Sequence, residues 1–299
     1  MIQTPAMPPA TTVHAARQPP TRRRVRRATG RAALYAALMI GSVITLFPFV
    51  WLIRSSLMGP NQIFSFPVEW VPQPFRWGNY REALTSVPFD RYFFNTMRIE
   101  FLVITGTLIT STIGAFAFAR LRWRGRNLIF GILLSGLMLP YAATIIPTFI
   151  FWQKVGAVGT IVPLVVPAWF GGGIFNIFLL RQFFMSIPRE LDEAAYLDGA
   201  TPLEVLLRII LPLSRPALIV VSVFTFISVW NDFLGPLIYL NHDDQFTLAL
   251  GLRSFSSLYT AQWDYLMAAS TAVILPIIVL FFFAQRYFVE GITLTGIKG

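Results

Sequence analysis

The sequence predicts an all-α membrane protein with six transmembrane helices, from its composition, the spacing of its apolar stretches and the placement of its arginines. Hydrophobic residues make up 55% of the 299 residues and charged residues only 13%, and the mean hydropathy is +0.63. Soluble domains carry about twice that share of charged residues. A spanning helix needs about 20 apolar residues, so this length accommodates several spans joined by loops.

Six apolar stretches are long enough to cross a membrane, and prolines interrupt two of them. Membrane helices tolerate proline where neighbouring groups satisfy the freed carbonyls, so Pro140, Pro147, Pro163 and Pro167 do not remove the third and fourth stretches. The predicted spans, in order, are residues 33–53, 99–119, 128–150, 161–181, 217–239 and 265–285.

The arginines predict which side of the membrane each loop occupies, because cytoplasmic loops carry an excess of Lys and Arg. The tail before the first span holds seven arginines and no acidic residue. The short loop after the second span is also basic, with Arg120, Arg122, Arg124 and Arg126. With six spans, both termini and the loop of residues 188–216 are then cytoplasmic, an N-in/C-in topology.

The first 30 residues are rich in Pro, Thr, Ala and Arg and contain no apolar run. Residues 1–30 are therefore predicted to be a disordered basic cytoplasmic tail, and residues 31–299 the transmembrane domain. The net charge of +10 does not indicate nucleic acid, because the basic residues lie beside membrane spans. The first apolar run is long enough to span and lacks a signal-peptide cleavage site, so it is expected to remain as a helix.

The polar loop of residues 188–216, between the fourth and fifth predicted spans, carries strong local helix signals. Ser186 is predicted to cap a short helix whose first turns are acidic, and Gly199 to end it in the left-handed conformation. Thr201, Pro202 and Glu204 then provide an N-cap, a proline at the first helical position and a capping-box partner. Pro212 and Pro216 are expected to end this second helix. The loop is thus predicted to be a helical hairpin at the membrane surface.

The spacing within this hairpin resembles that of a known family. Glu193-Ala194-Ala195, Gly199 and Leu211-Pro212 are similar to the EAA loop of the permease subunits of bacterial ABC importers. Trp230-Asn231-Asp232-Phe233-Leu234 and the C-terminal run from Gln285 to Gly291, with residues 296–299, resemble the carbohydrate-importer branch. Single EAA-like triplets arise by chance, whereas three ordered motifs in one membrane protein are a strong signal.

The resemblance implies the membrane-spanning subunit of an ATP-driven sugar importer in the cell membrane, similar to the second permease of maltose-like systems. It implies two cytoplasmic ATPase subunits, a second permease in a heterodimer and an extracytoplasmic solute-binding protein as partners. The sequence has no GxxxxGK[ST] phosphate loop, so ATP and Mg are expected in the partner ATPase and no cofactor in this chain. The residues that the resemblance implies for ATPase coupling are Glu193, Ala194, Ala195, Asp198, Gly199, Ala200, Leu203, Leu206, Leu211 and Pro212.

Asp232, beside Trp230 and Asn231, falls within the fifth predicted span. A charge at membrane depth is costly unless it faces a cavity or a partner, so these three residues are candidates for lining a pathway. Alternatively, the span ends earlier and they lie near the outer interface, where Trp is favoured. Asn176, just after three glycines in the fourth span, is a further candidate, although packing alone also explains small residues there.

Three other functions stay open on the residues alone. An ABC permease for glycerol phosphate, polyamine or peptide shares the EAA loop. A secondary transporter has no need of a capped cytoplasmic hairpin and often has repeated halves, which are not evident here. An enzyme would need a nucleophile or metal constellation, but HExxH and GxSxG patterns and cysteines are absent and the only histidines are His14 and His242. Neither a catalytic site nor a metal site is predicted.

Overall fold

The computed structural model describes residues 22–256 and 261–295, with side chains for residues 30–256 and 261–286. These residues are helical and contain no β-strand, only an isolated bridge between Ser256 and Ala261. The α-helices are α1 (Arg22–Ser56), α2 (Pro60–Ile63), α3 (Gly78–Ser86), α4 (Phe89–Ala119), α5 (Arg126–Ser135), α6 (Tyr141–Lys154), α7 (Val162–Trp169), α8 (Ile174–Ser186), α9 (Glu190–Leu197), α10 (Pro202–Val205), α11 (Leu211–Leu213), α12 (Arg215–Trp230), α13 (Leu234–Tyr239), α14 (Leu248–Gly251) and α15 (Trp263–Thr295). Tighter or wider helical turns occupy Gly136–Met138, Leu206–Ile210, Asp243–Gln245 and Leu252–Phe255.

The all-α prediction is confirmed for the described residues, which contain between four and six candidate spans. Four helical stretches are long and apolar enough to cross a membrane: Gly30–Ser56, Phe89–Ala119, Val162–Ser186 and Trp263–Arg286. Two bent pairs make up to six if each pair is one span. They are Arg126–Met138 with Tyr141–Lys154, bent by 100°, and Pro202–Leu213 with Arg215–Trp230, bent by 79°. A count of six and the N-in/C-in topology stay predictions.

Two of the long helices begin earlier than the hydropathy pattern predicts. Helix α1 begins at Arg22 instead of residue 33, so the predicted disordered tail is corrected to helix for residues 22–30, while residues 1–21 lie outside the described residues. Helix α4 begins at Phe89 instead of residue 99. Apolar windows mark only the lipid-buried part of a helix, whereas arginine, alanine and other good helix formers extend it into water.

The third and fourth predicted spans are both interrupted, for different reasons. The third turns sharply at Pro140, which lacks an N–H and restricts Leu139 to an extended conformation. The fourth breaks between α7 and α8, where Gly171, Gly172 and Gly173 all have positive φ. Only glycine adopts such consecutive conformations readily, so the glycines cause the break.

The described residues divide after Trp51 into two units. In the first unit, α1 is continuous, and the Thr45 hydroxyl donates to the carbonyl of Gly41 at 2.9 Å. The rings of Phe47 and Trp51 lie 6.3 Å apart between centroids. The apolar side chains of this unit are exposed along the helix, which is the pattern of a membrane helix and not of a soluble core.

The second unit, residues 52–299, is organised around α4, which contacts α7, α8 and α12. Near Phe89, a cluster of buried side chains joins α4 to α3, α12, α14 and α15. Near Ala119, a second cluster joins α4 to α5, α8, α12 and the hairpin. The two ends of α4 are therefore anchored in separate apolar clusters.

The segment between α1 and α4 is ordered by hydrogen bonds to main-chain carbonyls. Arg54 Nε donates to the carbonyl of Glu69 at 2.8 Å. Asn79 Nδ2 donates to the carbonyls of Ser56 and Met58 at 2.9 and 2.8 Å. Helices α2 and α3 in this segment contact α15, so residues between the first two spans form a structured cap on the last helix.

We expect Gly172→Ala to lower the free energy of unfolding by about 2–5 kcal/mol, because φ there is +59° and an added Cβ would lie 2.7 Å from the carbonyl oxygen of Thr107. The measurement is thermal or denaturant unfolding of the purified protein in mild detergent. Gly131→Ala is the matched control, since nothing lies within 4 Å of its Cβ position. Equal effects of the two substitutions would contradict close packing at the glycine break.

Candidate functional site

The hairpin of residues 188–216 has the two short helices and the tight corner predicted for it. Gly199 adopts φ +84° after α9, and no atom lies within 4 Å of where its Cβ would be. The amide of Ala200 donates to the carbonyl of Ala195 at 2.9 Å and that of Gly199 to Tyr196 at 3.1 Å. Glycine is therefore used here for its left-handed backbone and not for lack of space, as predicted.

The capping box at the start of the second helix is also confirmed. The amide of Thr201 donates to Glu204 Oε2 at 2.9 Å, and the amide of Glu204 donates to Thr201 Oγ1 at 3.3 Å. The hydrogen bond from the Thr201 backbone holds the pKa of the Glu204 carboxyl below its ordinary value. Pro202 occupies the first helical position.

Two details of the hairpin differ from the prediction. Ser186 does not cap α9, because it is the last residue of α8 and its hydroxyl donates to the carbonyl of Phe183 at 2.7 Å. Helix α9 starts only at Glu190, after Pro188, so Ser186 lies too far upstream. Pro212 and Pro216 do not end helices; they lie in the first turns of α11 and α12, where a missing N–H is tolerated.

Helix α10 widens into π-helical turns over Leu206–Ile210 before α11 begins. In a regular helix the ring of Pro212 would clash with the carbonyl four residues earlier, that of Arg208, and a wider turn relieves this clash. Such π-helical insertions are frequent at functional sites. The sequence patterns above do not predict these π-helical turns. The signal that could have indicated them is Pro212, four residues after Arg208.

One face of the hairpin is buried against the helical bundle. Val205, Leu206 and Ile210 are buried in the cluster that contains Phe184 of α8 and Val221 of α12. Because six or more apolar side chains enclose this face, the hairpin is part of the folded core and not a loose loop. Leu206, a predicted coupling residue, therefore faces the bundle.

The opposite face of the hairpin exposes large apolar side chains. Leu197 is 90% exposed, and Leu203 and Leu207 are more than half exposed. Contiguous apolar side chains at a surface indicate contact with a membrane or a partner. The remaining predicted coupling residues divide as follows: exposed Glu193, Ala194, Asp198, Gly199 and Pro212, and half-buried Ala195, Ala200 and Leu211.

A buried ion pair, missed by the sequence analysis, joins the hairpin to α4. Arg120 Nη1 lies 3.2 Å from Asp192 Oδ2, and the two side chains are 3% and 9% exposed. Burial lowers the pKa of Arg120 and raises the pKa of Asp192, and their mutual attraction opposes both shifts. In the sequence, the positive-inside rule alone accounts for an arginine at position 120. The available signal was helical periodicity, which puts Asp192 on the same face of α9 as half-buried Ala195.

The predicted pathway residues lie at a break after α12 and not within a continuous helix. Helix α12 ends at Trp230, and α13 begins at Leu234, so the predicted span 217–239 is corrected to two helices. Asp232 Oδ1 accepts a hydrogen bond from the amide of Gly235 at 3.0 Å. A Cβ at Gly235 would collide with the Asp232 carboxylate, so glycine permits this turn. Asp232 is half-buried and Asn231 is exposed.

Trp230 packs between neighbouring helices and also lines a cavity of about 350 Å³ with Phe89, Phe93 and Pro276. It is 1% exposed, and its indole Nε1 donates to the carbonyl of Val273 in α15 at 3.2 Å. Its ring stacks on Phe226 at 5.2 Å and meets Phe93 of α4 edge-on at 6.4 Å. Trp230 therefore has a packing role in this structure, and a pathway-lining role stays a prediction for Trp230, Asn231 and Asp232 alike.

Asn176 lies at the glycine break of the fourth span. Its Nδ2 donates to the carbonyl of Gly172 at 2.8 Å, and the side chain is half-buried. This bond satisfies one of the carbonyls that the break frees. In the C-terminal motif, Gln285 Nε2 donates to the carbonyl of Phe282 at 3.1 Å, whereas residues 296–299 lie outside the described residues. Across the described ranges, no group of three or more acidic or histidine side chains is arranged to hold a metal ion.

Comparison with known proteins gives the family context of this geometry. The family model described as "Binding-protein-dependent transport system inner membrane component" matches residues 106–294. The chain is 31% identical to the arabinooligosaccharides transport system permease protein AraQ of Halalkalibacterium halodurans, over 86% of this chain and 92% of that protein. It is 32% identical to the sn-glycerol-3-phosphate transport system permease protein UgpE of Yersinia enterocolitica, over 86% and 94%.

A solved structure shares the fold. A chain in the crystal structure of a bacterial ABC transporter involved in the import of the acidic polysaccharide alginate matches with a TM-score of 0.78. The match covers 90% of this chain and 100% of that chain at 23% identity.

We expect Trp230→Ala to lower the free energy of unfolding by about 3–5 kcal/mol, because it empties a closely packed site. Asn231→Ala should lower it by about 1 kcal/mol or less, because this side chain is exposed and loses only the hydrogen bond from Nδ2 to the carbonyl of Ile227. The measurement is the unfolding of both variants in detergent, monitored by far-UV circular dichroism, because this signal reports helix content and does not rely on tryptophan fluorescence. An unchanged stability for Trp230→Ala would contradict a packing role for this residue.

Proposed function

We propose that this chain, which belongs to the family of binding-protein-dependent transport system inner membrane components, forms half of the translocation pathway of an ATP-driven sugar importer. It is a multi-pass membrane permease and a transport component, not an enzyme. The observation that carries the proposal is the hairpin, with one face built into the bundle core and the other exposing unpartnered leucines.

The exposed face of the hairpin supports docking of an ATPase subunit. Leu197, Leu203 and Leu207 offer an apolar surface for the contact, and Glu193 and Asp198 border it with negative charge. Short amphipathic helices commonly bind partners by laying an apolar face into a groove. ATP and Mg are bound by that partner in this proposal. Movement of the docked helix is passed on because the opposite face is fixed in the core.

The remaining partners follow from the family and the sequence motifs. The family description itself names dependence on a binding protein, which supports an extracytoplasmic solute-binding protein as the donor of substrate. We further propose a second permease subunit, forming a heterodimer, and two ATPase subunits. The two permeases would enclose a cavity that opens alternately to either side, driven by ATP binding and hydrolysis.

The topology of the proposal is that of six spans with both termini inside. Up to six spans result if each bent pair contributes one. Because Pro202–Leu213 belongs to the hairpin, the second pair would cross the membrane with Arg215–Trp230, and the basic segments around Arg120–Arg126 and at the N-terminus then share the cytoplasmic side with the hairpin. Residues 1–21 would be a basic cytoplasmic tail. The break at residues 231–233 would lie on the substrate side of the membrane.

A sugar fits the groups at the break better than a phosphate ester does. Asn231 and Asp232 supply an amide and a carboxylate, which bind hydroxyl groups as donor and acceptors. A carboxylate repels a phosphate at short range. The AraQ relative supports a saccharide, whereas the UgpE relative keeps glycerol phosphate as the second candidate. Transport assays with the two substrate classes, using the cognate binding protein, decide between them.

We expect Gly199→Val to abolish ATP-dependent transport while membrane insertion is retained, because a β-branched residue does not adopt φ +84° and the hairpin corner would be lost. Gly199→Asn is the matched control, since Asn tolerates the left-handed conformation and should keep most activity. The measurements are co-purification of the ATPase and substrate uptake into proteoliposomes that contain ATP. Normal transport by Gly199→Val would contradict coupling through the hairpin.

We expect Asp232→Asn to raise the KM for the transported sugar by about 10- to 100-fold, the cost of losing a hydrogen bond to a charged group. Asn can still accept the bond from the Gly235 amide, so the turn at the break is retained. Uptake kinetics in proteoliposomes give KM, and unfolding of the same sample checks stability. An unchanged KM, with Asp232→Ala merely less stable, would make Asp232 a structural residue.

A further inference from the structure

The ion pair of Arg120 and Asp192 joins two parts of the molecule that are distant in sequence. Arg120 directly follows the last residue of α4, and Asp192 lies in the first turn of α9. Both side chains are more than nine-tenths buried. The other ion pair of the hairpin, between Arg208 and Glu204, is 78% and 38% exposed and bridges adjacent turns of one helix. Of these two ion pairs, only the buried one adds a link between the hairpin and the bundle to the apolar contacts of Val205, Leu206 and Ile210.

The same guanidinium makes a second contact. Arg120 Nη2 donates to the carbonyl of Ile187 at 2.8 Å, just before Pro188. Arg120 thus holds the chain on both sides of the corner between α8 and α9. Arginine suits this role because its planar group offers several donors in fixed directions, whereas the three donors of lysine rotate on a single nitrogen at the end of a flexible stem.

The pair contributes more to position than to stability. Removing two charges from water costs free energy that their attraction offsets only in part. Here Arg120 Nε and Asp192 Oδ1 are buried without a hydrogen-bond partner in the structure, so the pair is incompletely satisfied. A buried pair of this kind is best attested as a device that fixes register. In this protein it fixes the register of α9 against α4.

Helix α4 connects the ion pair to the middle of the bundle through two hydrogen bonds. Thr110 Oγ1 donates to the carbonyl of Ala168 at 2.9 Å, and Ser111 Oγ donates to the carbonyl of Gly172 at 3.2 Å. These two bonds attach α4 to the end of α7 and to the glycine break itself. A displacement of α4 at Arg120 therefore acts on the break.

We infer that Arg120 and Asp192 are positioning residues that convert movement of α9 into movement of α4 and of the glycine break. The inference rests on the proposed coupling of the hairpin to an ATPase. In it, the ion pair transmits the movement to α4, whereas the exposed leucines bind the ATPase. Loss of the pair uncouples transport from ATP hydrolysis, while the ATPase stays bound.

The experiment uses the assembled importer with its second permease, ATPases and binding protein in proteoliposomes. We expect Asp192→Asn to lower the amount of substrate transported per ATP hydrolysed about 10-fold, with assembly and basal ATP hydrolysis retained. Asp192→Glu, which keeps the charge, should retain most of the coupling. The double variant Arg120→Asp/Asp192→Arg, which exchanges the two charges, should recover part of the coupling that either single substitution loses.

Arg124→Gln is the matched control, because this arginine is exposed in the same short segment and should leave coupling unchanged. Normal coupling in Asp192→Asn would overturn the inference. Equal loss in the Asn, Glu and exchanged variants, or loss of assembly in all of them, would overturn it too by indicating a purely structural pair. Absence of any ATPase on the unmodified protein would instead refute the proposed function.

Discussion

Val205, Leu206 and Ile210 of the hairpin are buried among side chains of α4, α8 and α12, and this contact holds a polar connection firmly to an apolar bundle. Burial of three large aliphatic side chains contributes several kcal/mol, far more than the exposed ion pair of Arg208 and Glu204. The contact also divides the hairpin into two faces with different tasks. Because the inner face is already occupied, the outer leucines are free to be covered by a partner without disturbing the fold.

The breaks in the membrane helices are supported by polar side chains. In lipid, a free carbonyl or amide costs several kcal/mol, so irregular backbone is tolerated only where protein groups or water satisfy it. Thr110, Ser111 and Asn176 bind carbonyls at the glycine break, and Asp232 accepts from the amide of Gly235 at the second break. Broken helices of this kind are a recurrent feature of transporters. The polar side chains at these two breaks are thus explained first by the backbone, and Asn231 and Asp232 keep groups available beyond that role.

Features set by local chemistry could be read from the sequence, and features set by contacts between distant residues could not. The capping box at Thr201 and the left-handed Gly199 were predictable because each depends on neighbours within four residues. The cap assigned to Ser186 failed because Pro188 delays the start of α9. The apolar run after Asp232 suggested one continuous span, although it belongs to a separate helix, α13. Arg120 and Asp192 are separated in sequence by the third and fourth predicted spans, and the positive-inside rule already accounts for the arginine.

In the proposed mechanism, the outer face of the hairpin binds the ATPase and the inner face transmits its movement. An ATPase held by Leu197, Leu203 and Leu207 touches only the outer face, whereas Asp192 and Ile210 lie on the inner one. In this proposal the hairpin passes on displacement because its corner, its capping box and its core contacts hold the two short helices together. The movement reaches the substrate pathway only if the contact from Asp192 through Arg120 to α4 also holds while the hairpin moves. A permease that binds its ATPase normally can therefore still fail to transport, and the site of that failure is the buried pair and not the docking surface.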